Sequence, residues 1–524
     1  MKQTVPNIKI LCRVLGHVEN NLMHTQVYVA KAINVKCFEQ EPKHLLPILR
    51  MVVVLLALMI LATSSSAAVI WQDVESVASS DELSVAFNNT KIAVRDRDGK
   101  LHLVWKDENK LRYGYKEEEG GEWTIQPLFS AESKTVFKPT ITLVGDSTVL
   151  IAWSEQVEPG QHRIKFTTSD DLGVNWTIPS WVSPSDIDAR SVSLSASSGA
   201  LGGEPFAAIS WHNFDNSTVG VSTWNNTSGW TTPPSPIDPH GVAQDAAIAA
   251  QDQTLILTWE DNRTAQTQIR YAVSSDSGAN WGSDTLLGVS WVGALNSQGG
   301  DPSAAFGPDG QILLGYQHQQ SVFLVRSDDN GNTFSELRDM GNGLFLHLDI
   351  APNGTAIAVW EEFQGDLHDD SIKRFGSAFS TDVLESSDGP FFVPGSISNF
   401  SIAYPAGVVD NDWLDVFWVD QAEMPSVLRH RAAKLTIPGD ANFDGIVDVA
   451  DLGILGENFN ANDMQWNTGD FNLDGMTDVA DLGILGANWT ASQTTGNASV
   501  LIPEPTTLSL LAMSVLLVGR RRRS

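Results

Sequence analysis

The stretch SDDLGVNW, Ser169 to Trp176, returns as SSDSGANW from Ser274 to Trp281 and as SDDNGNTF from Ser327 to Phe334. All three share Ser-x-Asp-x-Gly-x-x-aromatic. In this pattern the Ser and Asp side chains bond backbone groups of a tight turn, and Gly supplies a positive φ. The aromatic is left to pack against a neighbouring layer. The three starts lie 105 and 53 residues apart, so one copy is missing near 222. Weaker copies fill the gap and extend the series: Lys116 ending at Trp123, Ser222 ending at Trp230, then Ser380 and Ala432. The seven starting positions advance by 52 or 53 residues throughout.

Each unit carries an upstream apolar run that ends in an aromatic: Trp105, Trp153, Trp211, Trp259, Tyr316, Trp360 and Trp418. Alternation and turn signals such as Asp309-Gly310 and Asn353-Gly354 fit strands and hairpins. A unit of about 52 residues with four strands has the size of a propeller blade. The Ser-Asp-Gly-aromatic turns resemble the Asp-boxes, or BNR repeats, of sialidase-like β-propellers. The expected fold is mainly β, a seven-bladed propeller over 69–437. The seventh unit runs out after a strand near Val427 to Ile437. Trp71 lies 52 residues before Trp123, so the N-terminal stretch WQDVESVAS is expected to donate the outer strand that closes the ring.

Downstream, two loops stand 30 residues apart. The first is Asp440-x-Asn442-x-Asp444-Gly445-Ile446-x-Asp448-x-x-Asp451, the second Asp470-x-Asn472-x-Asp474-Gly475-Met476-x-Asp478-x-x-Asp481. Oxygen donors at loop positions 1, 3, 5, 9 and 12, with the carbonyls of Ile446 and Met476 at position 7, suit calcium, and Gly at position 6 allows the sharp turn. Position 12 is Asp, where ordinary EF-hands have Glu. The duplicated segment 438–490 resembles a dockerin over its whole length. The resemblance implies two Ca2+ ions and a cohesin-like partner met through Val449, Ala450, Val479 and Ala480. The helices ADLGILGENF and ADLGILGANW are expected to bury Leu452, Leu455, Phe459, Leu482, Leu485 and Trp489 in a shared core.

Both ends carry addresses. Residues 1–67 read as a signal-peptide region with an over-long start, since Met51 to Ala62 is apolar and Ser64 to Ala68 is small. Both cysteines, Cys12 and Cys37, fall within it, so the processed chain holds no disulfide and no thiolate. At the other end, 491–502 is a polar linker and 503–524 a tail. Pro503-Glu504-Pro505, a short apolar run and Arg520 to Arg523 resemble a PEP-CTERM sorting signal. That resemblance implies exosortase-type processing and display at the surface of a Gram-negative bacterium, with the C-terminal anchor transient or retained.

The net charge of the whole chain is -30, and that of 68–505 is -38. Such a surface disfavours nucleic acid and anionic lipid. The 17 Trp against 6 Tyr point either to repeated packing positions or to sugar-stacking platforms. Two residues beyond each second-strand aromatic stand Asp107, Glu155, Asn213, Asp261, His318, Glu362 and Asp420, an acidic set on the face opposite the Asp-boxes. First strands are expected to start near Lys138, Asp245, Asp301 and Asn399. Asp245 and Asp301, in adjacent blades, are the candidate catalytic carboxylates of a glycosidase. Sialidases hold their substrate with three arginines, and only Arg190 and Arg263 fall near this face. The expected function is therefore a surface-sorted, calcium-binding propeller for glycan or protein ligands rather than an enzyme. The alternative is a glycoside hydrolase or lyase acting on neutral polysaccharide.

Overall fold

A computed structural model describes residues 68–490 apart from short loop segments, the longest being 376–390, 291–299 and 393–401. The signal-like region, the sorting tail, the copy at Ser380 and the strand start at Asn399 lie outside the described residues.

The architecture is a β-propeller. Six of the expected units are continuous antiparallel sheets built from strands consecutive in the chain, spanning 83–129, 136–181, 189–231, 243–290, 300–342 and 344–392. The seven-bladed expectation is corrected to six such blades, because the remaining sheet is composite. Its strands Ile402–Val409, Trp413–Asp420 and Ser426–Thr436 take their outer partner from the N-terminus. There β1 (Ala68–Trp71) pairs with 433–436 and β2 (Glu75–Ser80) with 426–430. The expected single donated strand is thus one edge in two pieces.

The second-strand aromatics are interior packing residues. Trp105, Trp153, Trp211, Trp259, Tyr316, Trp360 and Trp418 are each no more than 2% exposed, so none is a sugar platform. Truncating one to alanine costs about 3–5 kcal/mol. The Asp-box turns form as their chemistry requires. Ser169 Oγ bonds Asp171 at 2.7 Å and accepts from Gly173 N at 2.8 Å, while Asp171 accepts from Asn175 N at 2.8 Å. Trp176 then meets Tyr113 of the preceding sheet edge-on at 5.0 Å, and Phe334 meets Tyr271 in the same way.

The innermost strands are zipped together by buried polar side chains. Ser193 and Ser195 accept from Ile248 N and Ala250 N, Ser303 from Leu348 N, and Asp349 from Val409 N. This satisfies strand-edge donors that burial would otherwise orphan.

Helices α1 (Val449–Glu457) and α2 (Val479–Ala487) follow the propeller. Their core consists of Ala441, Val447, Leu455, Trp466, Phe471 and Leu485. The expectation for Leu452, Phe459, Leu482 and Trp489 is corrected: they are 37%, 41%, 38% and 43% exposed. Trp466, from the segment between the loops, fills the space they were assigned. Each short helix therefore buries a single leucine fully.

Candidate functional site on the face opposite the Asp-boxes

An Asp-box turn joins the third and fourth strands of a sheet, so it shares an end with the turn between the first and second. The first residues of every innermost strand therefore emerge on the opposite face. There the chain repeats one irregularity. The pairing of first and second strands slips at 137–140, 190–193, 244–247, 300–303, 344–347 and 403–406. Inside five of these bulges sits a left-handed, non-glycine residue: Lys138 (φ 44), Ser191 (φ 52), Asp245 (φ 41), Asp301 (φ 33) and Phe345 (φ 57). Bulges re-aim side chains, and strained backbone of this kind clusters at functional sites.

The bulged residues connect into an arc. Lys138 Nζ donates to Ser191 Oγ at 3.1 Å and lies 3.6 Å from Asp245. Asp245, Glu260 and Asp301 bring carboxylate oxygens within 4.8 Å of one another. Gln317 Nε2 donates to Asp301, and its Oε1 accepts from Phe345 N at 2.8 Å. The two candidate aspartates are thus brought together, half-buried, from adjacent sheets.

Glu260 was not singled out from sequence. It is 5% exposed, and its carboxyl accepts from Asp301 N at 2.6 Å and from Gln244 Nε2 at 2.8 Å. Burial, then the charges of Asp301 and Asp245, push it up to about 8, so it is neutral at pH 7. Gly300 is obligatory beside it, since a Cβ there would sit 1.9 Å from Glu260 Oε1. A sequence signal existed. The residue directly after each second-strand aromatic reads Lys106, Ser154, His212, Glu260, Gln317, Glu361 and Val419. Six of the seven are polar, on strands whose neighbours are apolar. These side chains catch the bulged strand of the next sheet: Ser154 bonds Ala189 O, Glu260 bonds Asp301 N and Gln317 bonds Phe345 N.

The acidic set two residues beyond the aromatics is corrected in part. Asp107 pairs with Arg112 at 2.7 Å, Glu155 with Lys165 at 3.1 Å, Asp261 with Arg263 at 2.6 Å, and Asp420 with Arg429 at 3.6 Å. Third-strand and loop cations neutralise these strand-end carboxylates, so they are no open anionic rim. The side chain of Glu362 lies outside the described residues. Arg190 and Arg263, the two arginines near the face, are held by Asp188 and by Asp261 with Asp284.

In the C-terminal module, Asp440 and Asp470 are 1% exposed, and Asp451 and Asp481 are fully buried. Asp440 accepts from Gly445 N at 2.9 Å and Asp470 from Gly475 N at the same distance. Asp448 and Asp478 cap α1 and α2, while Asp451 and Asp481 close the capping boxes. Burial, with Asp451 or Asp481 beside it, raises the carboxyl of Asp440 and of Asp470. Buried carboxyls in a loop whose donors are all oxygens are of the type that a hard cation takes, so the donor set fits calcium. Asp444 and Asp474 are exposed around the turn with Asn442 and Asn472. Among the described residues, three such groups come within 4.8 Å at Asp245–Glu260–Asp301 and at Glu75–Glu119–His430. In the second set Lys116 Nζ already donates to both Glu75 and Glu119. Val449, Ala450, Val479 and Ala480 are all exposed.

No family model and no curated protein sequence matches the chain. Among solved structures it is similar to a protein of unknown function from Dyadobacter fermentans (TM-score 0.45, 13% identity, covering 70% of this chain and 99% of that one). It is also similar to a polysaccharide lyase, an ulvan lyase (TM-score 0.46, 9% identity, 70% and 96% covered). A third is a sialidase of Trypanosoma rangeli (TM-score 0.39, 11% identity, 70% and 58% covered).

Proposed function

We propose that the chain is a surface-displayed propeller that binds carbohydrate on the bulged arc and is tethered through its C-terminal calcium module. The observation that carries this reading is the pairing of half-buried Asp245 and Asp301 at strained positions of adjacent inner strands. Carboxylates accept bidentate bonds from sugar hydroxyls, and Lys138, Ser191 and Gln317 supply donors beside them. Glu260 does what Gln317 does one sheet further on, holding the next bulge as a neutral group. That parallel favours binding over catalysis. The composite sheet, built from both ends of the propeller, completes the ring. The two loops hold two Ca2+ ions through the twelve residues named above, as in a dockerin, and a cohesin-like protein docks at Val449, Ala450, Val479 and Ala480. The tail directs exosortase-type sorting to the cell surface.

A second reading, a glycosidase on neutral polysaccharide, has its own support. Two aspartates beside a protonated acid form the kind of set that divides acid and base roles. Binding and turnover on neutral polysaccharides, measured for the parent and for Asp245→Asn and Asp301→Asn, separate the two. Binding without turnover, weakened in both variants, supports the first reading. Turnover by the parent that either variant loses while keeping affinity replaces it with the second. Parent-like binding by both variants moves the site elsewhere.

A further inference from the structure

The calcium module is built onto the same strand that closes the ring. Ser426–Thr436 carries β1 along its outer edge, and its last residue, Thr436, pairs with Ala68. Thr436 Oγ1 also donates to Asp440 Oδ2 at 2.9 Å, and Asp440 N donates to Ile437 O at 3.0 Å. The first loop thus begins one turn after the seam ends. Apolar contacts run the same way: Ile70 of β1 and Ile437 pack against the module core around Trp466 and Leu485. The second loop joins in. Asp470, Leu473 and Gly475 line a crevice of about 570 Å³ whose other wall is Ile70 to Asp73. β1 is four residues long at a sheet edge: Val69 and Trp71 pack on the propeller core, and Ile70 between them packs on the module. β2, in contrast, is pinned by Glu75 to Lys116 at 2.7 Å.

We propose that the module is a metal-dependent latch on the propeller: loading its loops holds β1 in the seam, and losing calcium releases it. This rests on reading the two loops as calcium sites. A bound cation would tie the buried side chains of Asp440, Asp451, Asp470 and Asp481 into one shell in each loop; without it the loops, and the core that they frame, loosen. Ile70 then loses its apolar neighbours, and the short edge strand opens locally while the sheets behind it stay folded. Linkage makes the effect reciprocal, so a seam that cannot take β1 binds calcium less tightly.

Hydrogen exchange on the full chain, in calcium and in chelator, tests this, with calorimetric titration of calcium on the same sample. Amides of 68–72 are expected to exchange about tenfold faster in chelator, while those of 75–80 change little. Ile70→Ser is expected to weaken calcium binding about fivefold with the loops themselves unaltered. Calcium heats together with unchanged protection of 68–72 would overturn the latch alone. An absence of calcium heats would overturn the reading of the loops, and the latch with it. Equal loss of protection in 68–72 and 75–80 would also sink the latch, since it would mean that the whole outer edge melts as one.

Discussion

Glu75, on the N-terminal edge, grips the ammonium of Lys116 with both carboxylate oxygens, at 2.7 and 2.9 Å. Lys116 belongs to the first continuous sheet and is 1% exposed. Its partner therefore ties the composite sheet to its neighbour from the inside. Trp123 Nε1 and His430 Nδ1 reach the same carboxylate at 3.1 and 3.4 Å.

Glu75→Gln should leave the buried Lys116 ammonium with Glu119 alone, at 2.8 Å. Because Glu119 remains and the Glu75 side chain is itself a third exposed, the expected loss is about 1–2 kcal/mol, below that of breaking a fully buried pair. Denaturant unfolding of the parent and variant measures it. A loss under half a kcal/mol would mean that the seam does not depend on this pair.

The seam should also have a bounded pH range. Burial would lower the His430 pKa, but its bonds to Asp415 and Glu75 more than offset this and raise it above 6.5. That stabilisation is complete below 6.5 and fades as pH rises through the folded value. Burial would raise the Glu75 pKa, yet His430 and Lys116 bring it down to about 2. Its contribution is complete above 4.5 and fades as pH falls towards 2. Melting temperature against pH should therefore crest between these limits, and His430→Asn should flatten the alkaline side.

Glu260 gives the opposite kind of slope. It stays protonated in the fold up to about 8 but ionises near 4.5 when unfolded, so its neutral form costs stability progressively between those values. Glu260→Gln should keep the bond from Asp301 N and remove that slope. Ligand binding should survive the change. Binding that collapses in Glu260→Gln with the fold intact would give the carboxyl a direct role.

Gly173→Ala tests the Asp-box as structure. The residue has φ +88, and a Cβ would meet Tyr113 Oη at 2.0 Å. A loss of about 2–3 kcal/mol with ligand affinity unchanged is expected. Altered affinity at parental stability would place function on the Asp-box face.

For the loops, calorimetry on the full chain should count two calcium ions. Asp440→Ala and Asp470→Ala should each remove one, and together they should remove both. Parent-like heats in the double variant would contradict the ligand assignment.

The sequence alone determined the repeat, because a tight turn needs the same Ser, Asp, Gly and aromatic each time it is built. It determined the seven packing aromatics, whose alternation and spacing are local properties of a strand. It determined the two acidic loops, whose order of oxygen donors is written within twelve consecutive residues. It also pointed to a ring closed by the N-terminus, through the single spacing of Trp71 to Trp123. What it could not hold was the pairing of residues far apart in the chain. Glu75 meets Lys116, Ala68 meets Thr436, and Glu260 stands behind Asp245 and Asp301 only once the sheets have curled round one axis. The charged rim read from position alone dissolved too, since Asp107, Glu155 and Asp420 find cations on the next strand and Asp261 finds one in its own loop. Nor could periodicity say that Trp466 would fill the module core and leave Leu452 and Trp489 outside. Burial belongs to the whole packed assembly, and a carboxyl's proton follows burial and neighbouring charge. The position of Asp245 was legible in the chain, whereas the neutral acid beside it was decided by the tertiary structure.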